Sequence, residues 1–379
     1  MKNFDVAIAG GGLIGGAIAF ELGRAGLRVA VFDRQEPGQE ASWAGAGILS
    51  PAPEHRWMIP LVPLGKASLG LYPRFVAQVE EISGQSAGYR PKGALEALFT
   101  RAAKEELSTL VALHRGLGLA CEPIRAEEGR ELEPALSEEV QAAALRPEEA
   151  SVDTRALTKA VLEAARRSGA EFFPGSGVQA ISREGGRCSG VITSSGKFSA
   201  GCTVIAAGCF SGGIEGVGAY APVRPAKGQM VALRSPTVKI ERVIWSERVY
   251  LVPRNDGRIL AGATVEYAGF DKTVTAGGIQ SLLDAAIELA PALRGAEIIE
   301  TWAGLRPDSP DHLPILGPTD LEDLLMATGH FRSGILLAPV TASLVREWIV
   351  EKRVSLDVER FSPLRFQQAS GAAASGAPA

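Results

Sequence analysis

The sequence contains few cysteines and little net charge. Four cysteines in 379 residues, without C-x-x-C spacing, indicate neither a disulfide framework nor a zinc or other metal site. A net charge of -4 with no basic cluster argues against nucleic acid as a partner. Hydrophobic residues make up 46% of the chain, which predicts a globular protein. The scattered cysteines are expected to be reduced and unpaired.

Long hydrophobic segments are also missing. No apolar run reaches the length of a bilayer-spanning helix. The apolar N-terminus contains Asp5 and is interrupted by glycines, unlike a secretory signal sequence. We therefore expect no membrane partner and a cytoplasmic location. The last segment, 369–379, consists of Ala, Ser, Gly and Pro and is predicted to be disordered.

The first 33 residues carry a dinucleotide-binding pattern. An apolar run over 4–9 leads into G-x-G-x-x-G over 10–15, and a second apolar run over 27–32 ends at Asp33. Strand, glycine-rich turn, helix, strand and acidic residue follow one another as in a Rossmann βαβ unit. The alternative is a glycine-rich turn in an ordinary βαβ unit, which would not need the acid.

Each residue of this pattern has a physical role. Gly10 permits the tight turn out of the strand, and Gly12 lets the backbone approach a pyrophosphate. Gly15 allows a helix over 13–24 to pack closely on the sheet. The positive N-terminus of that helix would face the phosphates, and Asp33 would accept hydrogen bonds from a ribose.

Further along, helical and strand-like patterns alternate. Helical periodicity covers 65–85, 102–118 and 277–289, and Ser151 to Thr154 would cap a helix ending near Arg167. The wholly apolar run 202–208 predicts a strand buried on both faces that rejoins the sheet begun at residue 4. Between 222 and 275, alternating stretches and an Asn-Asp-Gly turn predict an antiparallel sheet. Predicted strands lie at 170–173, 178–183, 190–193, 228–233, 249–253 and 258–262.

Three downstream segments carry a resemblance to a known family. They read Y-L-V-P-R over 250–254, W-A-G-L-R-P over 302–307 and G-H-F-R-S-G-I-L-L-A-P over 329–339. With the N-terminal pattern they resemble the flavin-dependent amine oxidases of the D-amino-acid oxidase group, most closely the glycine oxidases of thiamine biosynthesis. The resemblance extends from residue 4 to about residue 350.

The resemblance implies an α/β fold in which two domains interleave. One is a Rossmann-like, glutathione-reductase-type FAD-binding domain, and the other is an antiparallel-sheet substrate domain. The implied FAD-binding domain comprises 1–85, 150–222 and 300–365, the substrate-binding domain 86–149 and 223–299, and a disordered tail 366–379.

The resemblance also implies the residues that contact the substrate. An arginine matching Arg306 holds the substrate carboxylate, a task that suits a permanently charged guanidinium fork. A tyrosine matching Tyr250 donates to the same carboxylate, and an arginine matching Arg332 lies beside the substrate. From the residues alone, Arg306 could instead form a structural ion pair with Asp308 or Asp311.

The implied cofactor is FAD. Sarcosine oxidase relatives attach their flavin to a cysteine, but no cysteine lies near 313–317 here, so noncovalent binding is expected. Residues 330–336 resemble the stretch that wraps the flavin ring, with a helix N-terminus near Gly334 facing the pyrimidine edge. His330 is interpreted as a backbone contact rather than a base. The implied cofactor-binding residues are Gly10, Gly12, Leu13, Ile14, Gly15, Asp33, Arg34, Ala41, Ser42, Ala46, Gly47, Ile48, Val178, His330, Phe331, Arg332, Ser333, Gly334, Ile335 and Leu336.

Some residues depart from the family pattern or have no role in it. Trp43 is bulky where a small or hydroxyl residue is usual. Arg248 and Val265 stand where a histidine and a methionine are expected, so both are predicted to line the substrate pocket and to change its preference. The histidines without a matched role are expected at the surface; they are His55, His114 and His312.

The implied reaction is the oxidative deamination of glycine or another small amino acid or amine. Hydride transfer to flavin N5 leaves an imino acid, water hydrolyses it to a 2-oxo acid and ammonia, and O2 becomes H2O2. A homo-oligomer, by resemblance a tetramer, is expected. Three alternatives remain: a D-amino-acid dehydrogenase with another electron acceptor, a nicotinamide-dependent reductase, and a noncatalytic flavin-binding scaffold.

Overall fold

A computed structural model describes residues 3–100 and 102–367. The strands are β1 (Asn3–Ala9), β2 (Val29–Phe32), β3 (Ile48–Leu49), β4 (Ala94–Leu98), β5 (Glu122–Arg125), β6 (Ala142–Arg146), β7 (Ala150–Ser151), β8 (Glu171–Phe173), β9 (Val178–Glu184), β10 (Arg187–Thr193), β11 (Gly196–Ile205), β12 (Arg224–Arg234), β13 (Val243–Trp245), β14 (Tyr250–Pro253), β15 (Arg258–Gly262), β16 (Glu297–Asp308), β17 (Ile315–Pro318) and β18 (Leu324–Thr328). The α-helices are α1 (Leu13–Arg24), α2 (Ala41–Ala44), α3 (Val62–Ser83), α4 (Ala103–Gly116), α5 (Ala126–Leu132), α6 (Thr154–Arg167), α7 (Ala276–Leu289) and α8 (Gly334–Arg346).

In the first sheet, the N-terminal glycine-rich turn follows the carboxyl end of β1. Its order is β17-β18-β11-β1-β2-β8, and the pairs from β18 to β8 are parallel. Strands β9 and β10 form an antiparallel extension on β11. The prediction that the apolar run at 202–208 rejoins the first strand is confirmed, because β11 lies parallel to β1 with Val204 beside Ile8.

The second sheet has the order β16-β12-β15-β14-β13-β4-β6-β5. Its pairs are antiparallel except β4 with β13. The long pair of β12 with β16 sets Ala226 opposite Arg306. Residues of both strands line the cleft that lies between the two sheets.

Hydrophobic packing fixes both sheets. Helices α1, α3, α6 and α8 bury apolar faces over the first sheet, where Ile18, Val79, Val161 and Leu337 are at most 1% exposed. Helix α7 packs on the second sheet through residues such as Leu282 and Ala286. Full burial of one such aliphatic side chain stabilises the fold by roughly 1.5–3 kcal/mol.

Most predicted helices agree with the structure. Helices α1, α3, α4, α6 and α7 lie within three residues of their predicted bounds, and Asp153 caps α6 by accepting from the backbone N–H groups of residues 155 and 156. The short elements β4, β5, β6 and α5 have no clear sequence pattern and were not predicted. His114 was expected at the surface, which is wrong: it is 1% exposed.

The chain passes between the sheets several times. The domain boundary expected between residues 299 and 300 falls inside β16, whose whole length belongs to the second sheet. Phe366, expected within the tail, packs against a hydrophobic cluster under β18. The remainder of that predicted tail, 368–379, lies outside the described residues. We keep the division into two interleaved domains as a proposal.

Candidate active site

A cleft that is partly open to solvent lies between the two sheets. Residues between positions 9 and 58 and between 327 and 336 line it, together with residues of β12, β14 and β16. All cofactor-binding and substrate-contacting residues predicted from the sequence line the cleft except Gly15, which lies just behind it. The structure therefore brings together positions that are more than 300 residues apart in the chain.

The turn from β1 to α1 leaves no room for side chains. A Cβ at Gly10, whose φ is +105°, would lie 2.5 Å from the carbonyl oxygen of Ala206. A Cβ at Gly15 would lie 1.9 Å from the carbonyl oxygen of Gly10, so this glycine allows α1 to sit against the strand. Because α1 begins at Leu13, its positive end opens onto the cleft, as anion binding requires.

Asp33 closes the nucleotide end of the cleft. Its Oδ2 accepts from the backbone N–H of Gly11 at 2.7 Å, and its Oδ1 accepts from that of Gln35 at 3.0 Å. Burial raises the pKa of Asp33, and these two bonds oppose that shift. The carboxylate thus keeps remaining lone pairs for a ribose hydroxyl.

Arg34 stacks on an aromatic ring at the same end. Its guanidinium carbon lies 3.5 Å from the centre of the Phe210 ring, and the Phe270 ring stacks on that of Phe210 with the two ring centres 5.0 Å apart. Glu40 bonds to Arg34 and to Lys272, the latter at 3.0 Å. Phe270 and Lys272 belong to the loop between β15 and α7, so the second sheet closes over this end.

The small-residue segment 41–48, which contains the short helix α2, is fixed mainly through its backbone. Thr154 donates to the carbonyl of Gly45 at 2.9 Å, and Arg254 donates to the carbonyl of Ala46 at 2.7 Å. Gly47 has a φ of +79°, and a Cβ there would lie 1.9 Å from the carbonyl oxygen of Val152. This segment therefore forms a fixed wall of the cleft, and its small side chains let a flat ligand lie close to the backbone.

The opposite wall is the turn from β18 to α8. Phe331 has a left-handed φ of +47°, and its N–H donates to the carbonyl of Pro307 at 2.9 Å. His330 is buried, bonds to the hydroxyl of Thr341 at 3.1 Å, and has its pKa lowered to about 3 by burial. Helix α8 begins at Gly334 as predicted, so a second helix N-terminus opens onto the cleft.

Arg306 and Tyr250 meet at the end of the cleft formed by the second sheet. The Nη1 of Arg306 donates to the carbonyl of Thr264 at 3.1 Å, and the Tyr250 hydroxyl lies 3.5 Å from the sulfur of Met230. Burial lowers the pKa of Arg306 and raises that of Tyr250, and the two charges counter these shifts in each other. Tyr250 therefore stays protonated and able to donate at neutral pH.

Arg306 has no carboxylate partner within residues 3–100 and 102–367. Asp308 bonds to Arg224, His312 and Tyr267, and Asp311 bonds to Arg365. The structural ion pair considered from the sequence is therefore wrong. An unpaired guanidinium in a partly buried cleft is chemically able to bind an anion from outside the protein.

Arg332 differs from Arg306 because it is paired. Its Nη2 bonds to a carboxylate oxygen of Glu54, which also lines the cleft. Ser50, on the same segment as Glu54, donates to the buried Glu149 at 2.5 Å. No sequence pattern pointed to Glu54, Phe210, Met230 or Trp245, which all line the cleft.

The three departures from the family pattern lie outside the cleft lining. Trp43 faces Arg155, whose guanidinium carbon is 3.6 Å from the ring centre. Arg248 and Val265 were predicted to line the pocket, which is wrong. Arg248 pairs with Glu288 on α7 at 2.6 Å, and Val265 is 44% exposed.

The cleft fits an extended dinucleotide with a flat ring. Glycines admit it where a Cβ would collide with backbone, two helix N-termini open onto it, and Asp33 stands at the nucleotide end. No helix in the described part of the chain combines the length and apolar character needed to cross a membrane. Within those residues, no group of three or more His, Cys, Asp or Glu side chains could hold a metal ion.

Several known proteins are similar to this chain. The bifunctional protein ThiO/ThiG of Synechocystis sp. is 38% identical over 96% of this chain, which covers 54% of that protein. The chain thus spans about half the length of its bifunctional relatives. The glycine oxidase of Geobacillus kaustophilus is 35% identical over 96% of this chain and 97% of its own length.

Solved structures of related enzymes are also similar to this chain. The crystal structure of glycine oxidase from Geobacillus kaustophilus superposes with a TM-score of 0.91 at 34% identity, covering 96% of this chain and 99% of that one. L-proline dehydrogenase from P. horikoshii superposes with a TM-score of 0.87 at 25% identity, covering 97% and 99%. The family model described as FAD dependent oxidoreductase matches residues 5–348, and the chain belongs to this family.

Proposed function

We propose that this FAD-dependent oxidoreductase oxidises glycine or another small amino acid or amine. One observation carries the proposal: Arg306 is an unpaired guanidinium beside the Tyr250 hydroxyl, in the cleft that the flavin-type turn at 330–336 also lines. The glycine oxidase of Geobacillus kaustophilus supports it from similarity. A place in thiamine biosynthesis, implied by the resemblance, belongs to the same proposal.

Arg306 and Tyr250 would bind the substrate carboxylate together. The guanidinium offers two parallel donors, and the phenol, protonated at neutral pH, adds a third. Anchoring the carboxylate fixes the position of the α-carbon and removes rotational freedom before the reaction, which lowers the barrier. Arg332 lies in the same cleft, and its pairing with Glu54 leaves it a smaller share in anion binding.

The residues named at the two walls would hold FAD. Bound FAD supplies a two-electron acceptor that O2 can reoxidise, with H2O2 as the product. Burial raises the pKa of Cys209, a cleft residue, to about 12, so its sulfur stays a thiol. A thiol is a poor nucleophile, which supports noncovalent cofactor binding.

His330 would not take a proton from the substrate. With a pKa of about 3 and a hydrogen bond to Thr341 it stays neutral and turned toward α8. The substrate amine would therefore be bound in its neutral form or lose its proton to water. The resulting imino acid would be hydrolysed to a 2-oxo acid and ammonia.

A peroxide-coupled assay tests the proposal. The FAD-loaded protein is mixed in air with glycine, sarcosine, and D- and L-amino acids, and H2O2 is measured. Peroxide from glycine or another small amine is expected. Flavin that is not reduced by any of these compounds, even without oxygen, would contradict the proposal.

A dehydrogenase is the second candidate, favoured by the similarity to an L-proline dehydrogenase. Flavin reduction by substrate in the absence of air, followed by slow reoxidation in air and fast reoxidation by a quinone, would identify it. A nicotinamide-dependent reductase is not supported, because the chain belongs to an FAD family.

Self-association and a cytoplasmic location complete the proposal. Tyr267 and Phe270 are 52% and 55% exposed on one loop, an apolar surface that a second copy could cover. The four cysteines are free, in keeping with a reducing compartment. Light scattering after gel filtration gives the mass, and a monomer would contradict self-association.

A further inference from the structure

An ion pair between a buried lysine and a partly exposed glutamate lies behind Arg306. Lys227 on β12 is 2% exposed, and its Nζ lies 3.0 Å from a carboxylate oxygen of Glu266. The backbones of the two residues also exchange hydrogen bonds of 2.8 and 2.9 Å. Glu266 is thus fixed at both its main chain and its side chain.

Thr264 connects this pair to Arg306. Its hydroxyl donates to Glu266 at 2.6 Å and accepts from the backbone N–H of Gln229 at 2.9 Å. Its carbonyl accepts from Arg306 Nη1 at 3.1 Å. Gln229 donates to the same Glu266 oxygen at 2.8 Å, so the carboxylate is the centre of the cluster.

The charges in this cluster balance without Arg306. Lys227 neutralises Glu266, whose carboxylate oxygens also accept from Thr264 and Gln229. Glu266 therefore orders the Thr264 carbonyl while leaving the positive charge of Arg306 uncompensated. An acid placed directly against the guanidinium would compete with the substrate for it.

We propose that Glu266, held by Lys227, is a positioning residue that fixes Thr264 and so orients Arg306 toward the substrate carboxylate. This inference rests on the proposed function of Arg306 as the carboxylate anchor. It assigns a role in substrate affinity to an ion pair that contacts neither the substrate nor the cofactor.

Two variants interrupt the connection from opposite ends. Glu266→Gln sets an amide against Lys227, and Thr264→Val removes the hydroxyl while leaving the ion pair in place. The affinity for acetate, measured from the absorbance change of the FAD-loaded protein, should weaken about tenfold in both, as expected for about 1.4 kcal/mol. KM for glycine should rise by a similar factor while kcat changes less than about twofold, because carboxylate binding is shared by ground and transition states.

Matched controls separate positioning from general loss of stability. Glu184→Gln breaks the Glu184–Lys197 pair of 2.7 Å, which lies on β9 and β11 away from the cleft, and should leave both quantities unchanged. Thr264→Ser keeps the hydroxyl and should restore acetate affinity. Wild-type acetate affinity in both Glu266→Gln and Thr264→Val, or equal weakening in Thr264→Ser, would overturn the proposal.

Acetate binding needs no turnover, so the two proposals can fail separately. If Arg306→Ala binds acetate like the wild type, the carboxylate anchor itself is wrong. If Arg306→Ala weakens acetate binding but Glu266→Gln and Thr264→Val do not, the anchor stands and the positioning role is wrong.

Discussion

The guanidinium of Arg306 occupies the space that a side chain at Gly228 would need. A Cβ added at position 228 would lie 2.3 Å from Nη1 and 2.5 Å from Cζ of Arg306. The two residues lie on the adjacent strands β12 and β16, where residue 226 faces Arg306 directly. The missing side chain is therefore what lets the arginine lie flat against the sheet and reach the cleft.

Gly228→Ala should displace Arg306 without unfolding the protein. The obstructing atoms are the end of a flexible side chain, so the guanidinium is expected to move rather than the strands. The KM for glycine and the acetate dissociation constant should rise at least about tenfold, a loss of about 1.4 kcal/mol. Gly213→Ala, at a position with no neighbour within 4 Å, is the control. Unchanged acetate affinity in Gly228→Ala would show that this contact is unimportant.

Arg306→Lys should be a damaging substitution despite the retained charge. Lysine lacks the planar fork and cannot form two parallel bonds to a carboxylate. We expect KM for glycine to rise about 10- to 150-fold, the equivalent of about 1.5–3 kcal/mol for a hydrogen bond to a charged group. FAD content, read from the absorbance of purified protein, should match the wild type. A variant with wild-type KM would remove Arg306 from substrate binding.

Asp33→Ala should weaken cofactor retention. The substitution removes the acceptor expected for the ribose and leaves the Gly11 N–H without its 2.7 Å partner. A buried group left unsatisfied costs about 1–3 kcal/mol, so the dissociation constant of FAD should rise about 5- to 150-fold. The fluorescence of the flavin released on dilution measures this dissociation constant. Asp5→Ala, at the far end of β1 and paired with Arg28, should bind FAD normally; a matching loss there would indicate destabilisation of the strand instead.

Phe270→Ala and Lys272→Ala should each speed the release of FAD. These side chains close the nucleotide end of the cleft through Phe210 and Glu40. The effect of Lys272→Ala should shrink at high salt, because an exposed ion pair is screened, while that of Phe270→Ala should persist. Stopped-flow exchange against excess free flavin gives the rates. Equal rates in wild type and both variants would mean that this loop does not retain the cofactor.

Folding stability should fall in acid partly through His330. Its pKa is lowered from 6.5 to about 3, so the unfolded chain binds a proton that the folded chain excludes. The stabilisation is complete above pH 6.5 and is lost as the pH falls toward 3, at up to about 1.4 kcal/mol per pH unit. Denaturant titrations of His330→Gln should show a shallower slope in this window than the wild type. Equal slopes in His330→Gln and the wild type would show that His330 does not contribute.

The nucleotide half of the cleft could be predicted because its residues are close in sequence. Gly10, Gly12 and Asp33 lie within one βαβ unit, where short-range geometry fixes their spacing. Arg306 and Tyr250 were found through resemblance only. Their positions in the cleft depend on the register of β12, β14 and β16, which no local pattern specifies.

Contacts between distant segments could not be predicted. Glu54 meets Arg332 across 278 positions, and Phe210, which follows β11, meets Arg34, which follows β2. Val265 was misplaced because side chains alternate along an extended segment. Thr264 and Glu266 are both held in one hydrogen-bonded cluster, which turns the residue between them toward solvent.

The parallel placement of β18 beside β11 has a consequence for biosynthesis. The ribosome makes the glycine-rich turn after β1 more than 300 residues before the turn after β18, yet both turns line one cavity. A nascent polypeptide ending before β18 would contain the turn after β1 but would lack the wall of the cleft formed by the turn from β18 to α8. Cofactor loading must therefore wait until β18 and the turn that follows it have been synthesised.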